Sequence, residues 1–168
     1  SGSQYVLPLK LVSNVDSVNS NLDLLVIKPN IHTPIVTFTE QDTRKVVMST
    51  QAATTTVTEE VDLMFDVDNN WNFTTEIETD HSVLQQYVDE YNENNLSSFH
   101  LLEAGHYKIE GGSFVQGEIL SSLNITIDRT GLEIGGYLLP VKLKSCGDNV
   151  PFETQEKPFY ILVQVTGE

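Results

Sequence analysis

The chain has 168 residues, of which 24 are acidic and 9 are basic, so its formal net charge at pH 7 is −15. A surface of that sign repels phosphate groups, which argues against nucleic acid and anionic lipid as partners. No apolar run approaches the roughly 20 residues that cross a bilayer, so no direct membrane span is expected. The single cysteine, Cys146, excludes an internal disulfide and any multi-cysteine zinc site.

Two segments of the chain have similar sequences, SQYVLPLKLVS at residues 3–13 and GGYLLPVKLKS at residues 135–145. Matched residues, such as Pro8 and Pro140, lie 132 positions apart. Each copy is followed by a polar stretch, about four residues longer in the second copy, and then by an apolar strand. We interpret each copy as a strand, a loop and a strand that form the closing hairpin of one repeated unit.

This interpretation divides the chain into residues 1–30, the C-terminal hairpin of a truncated preceding repeat, and residues 31–168, a complete domain. A hairpin of this size cannot bury enough apolar surface to be stable alone. We therefore expect it to pack on the main unit, or to be swapped into a neighbouring molecule to give a homo-oligomer. Because proline has no N–H for the ladder, both prolines are expected at an edge or a bulge, at one equivalent position.

Strand patterns dominate the rest of the chain. Apolar and polar residues alternate over 61–67, 123–128 and 139–143, and an apolar strand follows at 159–165. Further strands are expected near residues 35–39, 45–49, 53–58, 71–77, 106–109 and 113–117. Many short strands separated by glycine-rich turns indicate an all-β fold, an immunoglobulin-like β-sandwich.

One short crossover α-helix is expected among these strands, at about residues 82–92. Its apolar residues fall on a single stripe that can pack on a sheet: Val83, Leu84, Tyr87, Val88 and Tyr91. Ser82 and Gln85 are spaced as a capping box, which predicts the start of the helix. The asparagines after Tyr91 predict its end.

Trp71 is the only tryptophan, and it follows the acidic stretch DVDNN at a predicted boundary between loop and strand. An indole ring can stack on the apolar face of a pyranose while neighbouring carboxylates and amides bind its hydroxyls. The sequence therefore offers Trp71, with Asp68 and Asn70 as polar neighbours, as a carbohydrate contact. The alternative is a core tryptophan that caps one end of the sandwich.

No catalytic, metal or cofactor motif is complete in the sequence. DVDNNWNFTTEIE begins like a calcium loop, but Trp71 replaces the turn glycine and Ile77 replaces the bidentate glutamate. Paired acids such as Glu76 and Glu78 could form a glycosidase pair, yet such pairs arise by chance among 24 acidic residues. The histidines form no HExxH motif, and no serine lies in a GxSxG elbow. We therefore predict no enzyme activity, no metal site and no cofactor.

The order of DHSVLQQYVDEYNENN, FHLLEAGHYKI, ITID, GGYLLPVKLKS and a last apolar strand resembles a Bacteroidetes domain-of-unknown-function family. The resemblance covers about residues 33–168, although FHLLEAGHYKI lacks the family's usual proline after the paired leucines. That family stands at the N-terminus of surface lipoproteins. Some of these carry a family 18 glycoside hydrolase (endo-β-N-acetylglucosaminidase) domain downstream, and others carry laminin-G-like or discoidin-like sugar-binding domains.

The resemblance implies an immunoglobulin-like sandwich without catalytic residues, located outside the cytoplasm at the cell surface or in the periplasm. It also implies lipid anchoring through a segment outside these residues. We therefore expect a non-catalytic accessory or spacer module of a surface lipoprotein that serves glycan binding and utilisation. Its expected partners are glycan and the other domains or subunits of such a system. The alternative is an adhesin-like or fimbria-like structural subunit that assembles by strand exchange.

Overall fold

The computed structural model describes residues 7–10, 24–27, 32–41, 43–147 and 152–167. The chain forms two compact units, Ser1–Thr33 and Pro34–Glu168. In the first unit, strands β1 (Leu7–Lys10) and β2 (Leu24–Ile27) pair antiparallel.

The second unit contains the remaining strands and one α-helix. In chain order the strands are β3 (Ile35–Phe38), β4 (Arg44–Ser49), β5 (Thr56–Phe65), β6 (Phe73–Thr74), β7 (Glu76–Ile77), β8 (His100–Leu101), β9 (Tyr107–Gly111), β10 (Ser113–Phe114), β11 (Leu120–Asp128), β12 (Gly135–Val141), β13 (Leu143–Ser145), β14 (Glu153–Thr154) and β15 (Phe159–Thr166). Helix α1 (His81–Asn95) lies between β7 and β8, and a short 3-10 turn precedes β9. The predicted β-sandwich with one crossover helix is confirmed.

Two sheets form the sandwich. The first has the order β14-β3-β5-β11-β9, and the second has the order β4-β15-β12-β8. Two short ribbons, β10-β6 and β13-β7, accompany them. Alternate residues of β5 and β15, such as Leu63 and Ile161, are fully buried in one core that both sheets share. The alternation of apolar and polar residues in the sequence therefore corresponds to side chains that point alternately into the core and out to solvent.

Helix α1 packs on the outer face of the second sheet. Its buried residues Leu84 and Val88 cluster with Leu101 of β8 and Leu138 of β12. The next residue of β12, Leu139, belongs to the core between the sheets. Strand β12 is thus covered on both faces, which explains why its sequence reads as an apolar run. No helix in the described ranges is long and apolar enough to cross a membrane.

The helix is longer than the predicted span of 82–92, and its N-cap is Asp80 rather than Ser82. The Asp80 carboxylate accepts hydrogen bonds from the backbone N–H groups of Ser82 (2.9 Å) and Val83 (3.2 Å). Asp80 therefore satisfies donors that the predicted capping box would have left free. At the other end, α1 continues through the asparagines and ends at Leu96, whose φ of 51° is left-handed.

Three of the strand predictions differ from the structure in how the strands are divided. The predicted strands 53–58 and 61–67 are one continuous strand, β5. The predicted strand 71–77 is broken into β6 and β7, which pair with different strands, β10 and β13. The break lies at Thr75, whose backbone N–H donates to the carbonyl of Gly112 at 2.9 Å. Strands β8 and β14 were not predicted, because an alternating pattern needs more residues than they contain.

In both units the proline-bearing strand pairs antiparallel with a later apolar strand. Pro8 lies opposite Val26, and Pro140 lies opposite Tyr160. Val26 follows Pro8 by 18 positions and Tyr160 follows Pro140 by 20. The stretch between the paired strands covers residues 11–23 in the first unit and residues 142–158 in the second, so it is four residues longer in the second. Pro140 also lies beyond Leu138, where the pairing with β8 ends, so its missing N–H breaks no bond there. The division into a truncated repeat and a complete domain stays a prediction.

Candidate functional site

Trp71 lies between β5 and β6, and 45% of its surface is exposed. Its ring meets Phe152 edge-on, with ring centroids 5.1 Å apart and an interplanar angle of 68°. Phe152 in turn packs against Phe65 and Phe73 of the core, with centroids 4.7 Å and 5.0 Å away. Trp71 therefore caps an aromatic cluster with one part of its ring and presents the rest to solvent.

The segment before Trp71 is held in place by Asn69, a residue that the sequence did not single out. Asn69 is buried, and its amide nitrogen donates to two carbonyls of the turn at residues 115–118. Its amide oxygen accepts the backbone N–H of Trp71 at 2.9 Å. The predicted neighbours Asp68 and Asn70 are exposed on either side of Asn69. All three predicted contact residues are therefore accessible on one anchored segment.

One acidic residue near this segment, Asp66, serves the fold. Asp66 accepts a hydrogen bond from the backbone N–H of Ile35 at 2.8 Å, which ties the end of β5 to the start of β3. In the ranges that the structure describes, no three His, Cys, Asp or Glu side chains are grouped to hold a metal ion.

A groove of about 760 Å³ lies between α1 and the segment that leads into β15. The helix contributes Tyr87, Glu90, Tyr91 and Asn94, which follow the i, i+3, i+4, i+7 spacing of one helix face. Tyr160 of β15 is among the residues on the opposite side. Trp71 lines neither this groove nor a smaller cavity of about 460 Å³ beside Phe152.

The rings of Tyr91 and Tyr160 meet in the groove, with centroids 4.8 Å apart and planes tilted by 53°. Burial raises the pKa of Tyr160 to about 12, and burial with nearby acids also raises the pKa of Tyr87. Both phenols therefore stay protonated in neutral solution and can donate as well as accept hydrogen bonds. Among the described residues, no protein group hydrogen-bonds to the phenol oxygens of these three tyrosines.

The ammonium group of Lys142 also lines the groove, and it donates to the carbonyls of Leu143 and Gln155 at 2.8 Å each. Burial lowers the pKa of Lys142, and this effect exceeds the opposing effect of the nearby acids. Among the described residues, the charged groups lining the groove are Glu90, Glu156, Lys142 and Lys157. The formal charges of these four groups cancel, although the chain carries −15.

The groove was missed at the sequence level because Tyr87 and Tyr91 fit the apolar stripe of the helix. In the structure only Leu84 and Val88 of that stripe are buried, and the tyrosines are half-buried. Their hydroxyl groups were the available signal, since a phenol in an apolar stripe needs either a polar partner or solvent.

A family model that describes an N-terminal domain matches residues 29–150, well over half of the chain. Among proteins with curated descriptions, none matches.

Several solved structures share the fold. A “putative carbohydrate binding protein” from Bacteroides ovatus matches 77% of this chain and 36% of its own at 17% identity, with a TM-score of 0.55. EndoBT-3987 from Bacteroides thetaiotaomicron, solved with Man5GlcNAc product, matches 73% of this chain and 29% of its own at 18% identity, with a TM-score of 0.55. A multidomain protein including DUF1735 from Bacteroides ovatus matches 78% of this chain and 43% of its own at 14% identity, with a TM-score of 0.50.

At sequence identities of 14%, 17% and 18%, the similarity to these structures shows only that they share the fold of this chain. The chain spans less than half the length of each of these proteins. The match to the family model is of a different kind, because it covers most of the sequence itself. The chain belongs to the family of N-terminal domains that this model describes.

Proposed function

We propose that the protein is a non-catalytic, extracytoplasmic module that binds glycan within a surface glycan-utilisation system. It acts as an accessory or spacer domain of a lipid-anchored surface lipoprotein. Its partners are glycan and the other domains or subunits of that system. The observation that carries the proposal is the half-exposed ring of Trp71 on an anchored segment.

The geometry around Trp71 suits a sugar contact. Phe152 braces the indole edge-on, so little rotamer freedom is lost when a ligand stacks on the open part of the ring. The exposed side chains of Asp68 and Asn70 supply a carboxylate and an amide for sugar hydroxyls. A stacking ring with adjacent polar groups is the arrangement that pyranose recognition needs.

Two of the structures with the same fold support the ligand class. One is described as a “putative carbohydrate binding protein”, and the other was solved with a Man5GlcNAc product. This chain covers 36% and 29% of them, so each contains much more than this domain. An accessory role beside other domains agrees with that proportion.

The test is a screen of the chain against a glycan array, followed by calorimetry on the best ligand with Trp71→Ala. Ile134→Ala is the matched control, since Ile134 is also apolar and 67% exposed. Near-UV circular dichroism establishes that each variant is folded. We expect binding that Trp71→Ala weakens at least tenfold and Ile134→Ala leaves unchanged. A folded chain that binds no glycan on the array overturns the proposed function.

Assembly by strand exchange is the second candidate, and the repeated hairpin favours it. In the second unit the corresponding strands β12 and β15 have outer neighbours, β8 and β4. Within the described residues, β1 and β2 pair only with each other. Open strand edges accept strands from other molecules. A mass that rises with concentration in analytical ultracentrifugation is the expected result, and a monomer at every concentration contradicts it.

A further inference from the structure

We infer that the groove between α1 and β15 is a second glycan site, which takes a neutral oligosaccharide with Tyr91 and Tyr160 as its stacking surface. This inference rests on the proposed function, and it adds a glycan-binding site that is separate from Trp71. The groove is of suitable size, since its volume of about 760 Å³ falls within the range of roughly 300–1,000 Å³ that ligand sites occupy.

The aromatic surface is held by rigid elements. Tyr91 lies on α1 and packs near Phe99, with ring centroids 6.1 Å apart. Tyr160 lies on β15, a central strand of its sheet. Because a helix and a strand fix the rings, their relative placement is set before any ligand arrives.

Unused hydrogen-bonding groups surround these rings. In the described part of the chain, Asn94 and the phenol of Tyr87 make no hydrogen bond to another protein group. The carboxylate of Glu90, on the same helix face, is an additional acceptor. Closely spaced donors and acceptors beside an aromatic surface match the hydroxyls that surround the apolar face of a sugar ring.

The charges favour a neutral ligand over an acidic one. Lys142 already donates to two carbonyl groups, so its ammonium is partly satisfied by the protein. The acids Glu90 and Glu156 balance Lys142 and Lys157, and the net charge of −15 repels anions at longer range. The ammonium of Lys157 makes no ion pair among the described residues, but Glu90 and Glu156 line the same groove, so a uronic or sialic acid meets no excess of positive charge.

Asn94→Ala and Tyr91→Ala test the groove by calorimetry with the neutral oligosaccharide that binds best on the array. Asn94 is exposed, so its replacement leaves the fold intact even where Tyr91→Ala reduces stability. Glu93→Ala is the matched control, because Glu93 is an exposed neighbour on α1 that does not line the groove. We expect at least a fivefold loss of affinity for Asn94→Ala, a larger loss for Tyr91→Ala and none for Glu93→Ala.

Fluorescence separates the two sites, because Trp71 is the only tryptophan. A ligand at Trp71 changes the emission excited at 295 nm, whereas a ligand in the groove leaves it unchanged. Glycan binding that is unaffected by Asn94→Ala and folded Tyr91→Ala but lost in Trp71→Ala overturns the groove and leaves the proposed function standing. A groove that prefers acidic over neutral oligosaccharides overturns the inferred ligand class. No glycan binding by the unaltered chain overturns both.

Discussion

The ring of Tyr160 packs beside that of Tyr91, with centroids 4.8 Å apart, and this position controls the ionisation of its phenol. Burial, and then the negative charge of Glu90, raise the pKa of Tyr160 to about 12 from an ordinary value of 10.0. Between these two values the folded chain keeps a proton that the unfolded chain has lost. The resulting stabilisation is complete below about pH 10 and is lost as the pH rises towards 12.

Urea unfolding at about pH 9 and about pH 11 measures this effect in the unaltered chain and in Tyr160→Phe. We expect the unaltered chain to lose more stability between the two pH values than the variant does. Tyr160→Phe removes the phenol oxygen and keeps the ring, so the difference between the two proteins reports on that phenol. Equal losses in the two proteins would contradict a raised pKa at Tyr160.

The sandwich could be predicted from the sequence because burial on one face leaves a local pattern. Leu63 and Ile161 are inward residues of strands whose alternation is visible in the sequence alone. The groove leaves no such pattern, since it depends on a helix residue, Tyr91, meeting Tyr160 of a distant strand. At Trp71 the sequence left both a sugar-contacting ring and a core ring open, and only the fold shows that the indole is 45% exposed and that Asn69 turns inward. Three adjacent polar residues offer no local signal for which one is buried.

Asp80→Ala tests which residue caps α1. The Asp80 carboxylate accepts from the backbone N–H groups of Ser82 and Val83, so its removal leaves donors of the first turn unpaired. We expect a loss of about 1 kcal/mol in the free energy of unfolding. Ser82→Ala is the control and is expected to change it by less than about 0.5 kcal/mol. A larger loss of stability for Ser82→Ala than for Asp80→Ala in urea unfolding would instead support the capping box that the sequence predicts.

Gly111→Ala tests a close approach between β9 and β11. Gly111 has a φ of 101°, and an added Cβ would lie 2.3 Å from the carbonyl oxygen of Ser122. Both the clash and the backbone conformation disfavour any side chain, so we expect a loss of about 2–4 kcal/mol. Gly105→Ala, where nothing lies within 4 Å of the added atom, is expected to be nearly neutral. Similar thermal midpoints for the two variants would contradict this account.

Phe65→Ala tests the cluster that supports Trp71. Phe65 is fully buried and contacts Phe73 and Phe152, with centroids 5.2 Å and 4.7 Å away. Its truncation leaves a cavity and is expected to cost about 3–5 kcal/mol. Trp71→Ala removes a ring that is 45% exposed, and we expect it to cost less than half as much. A larger loss for Trp71→Ala in denaturant unfolding would show that the indole is mainly a core residue.

Leu96→Gly is expected to stabilise the protein. Leu96 ends α1 with a φ of 51° and is 96% exposed, so it combines backbone strain with an apolar side chain in water. Glycine adopts this conformation without the steric cost, although it gains entropy in the unfolded chain, which leaves about 0.5–1 kcal/mol of net stabilisation. Leu96→Ala removes the same exposed surface but keeps a Cβ, so little change is expected. Urea unfolding decides the question, since equal stability of the glycine and alanine variants would mean that the left-handed conformation costs this helix nothing.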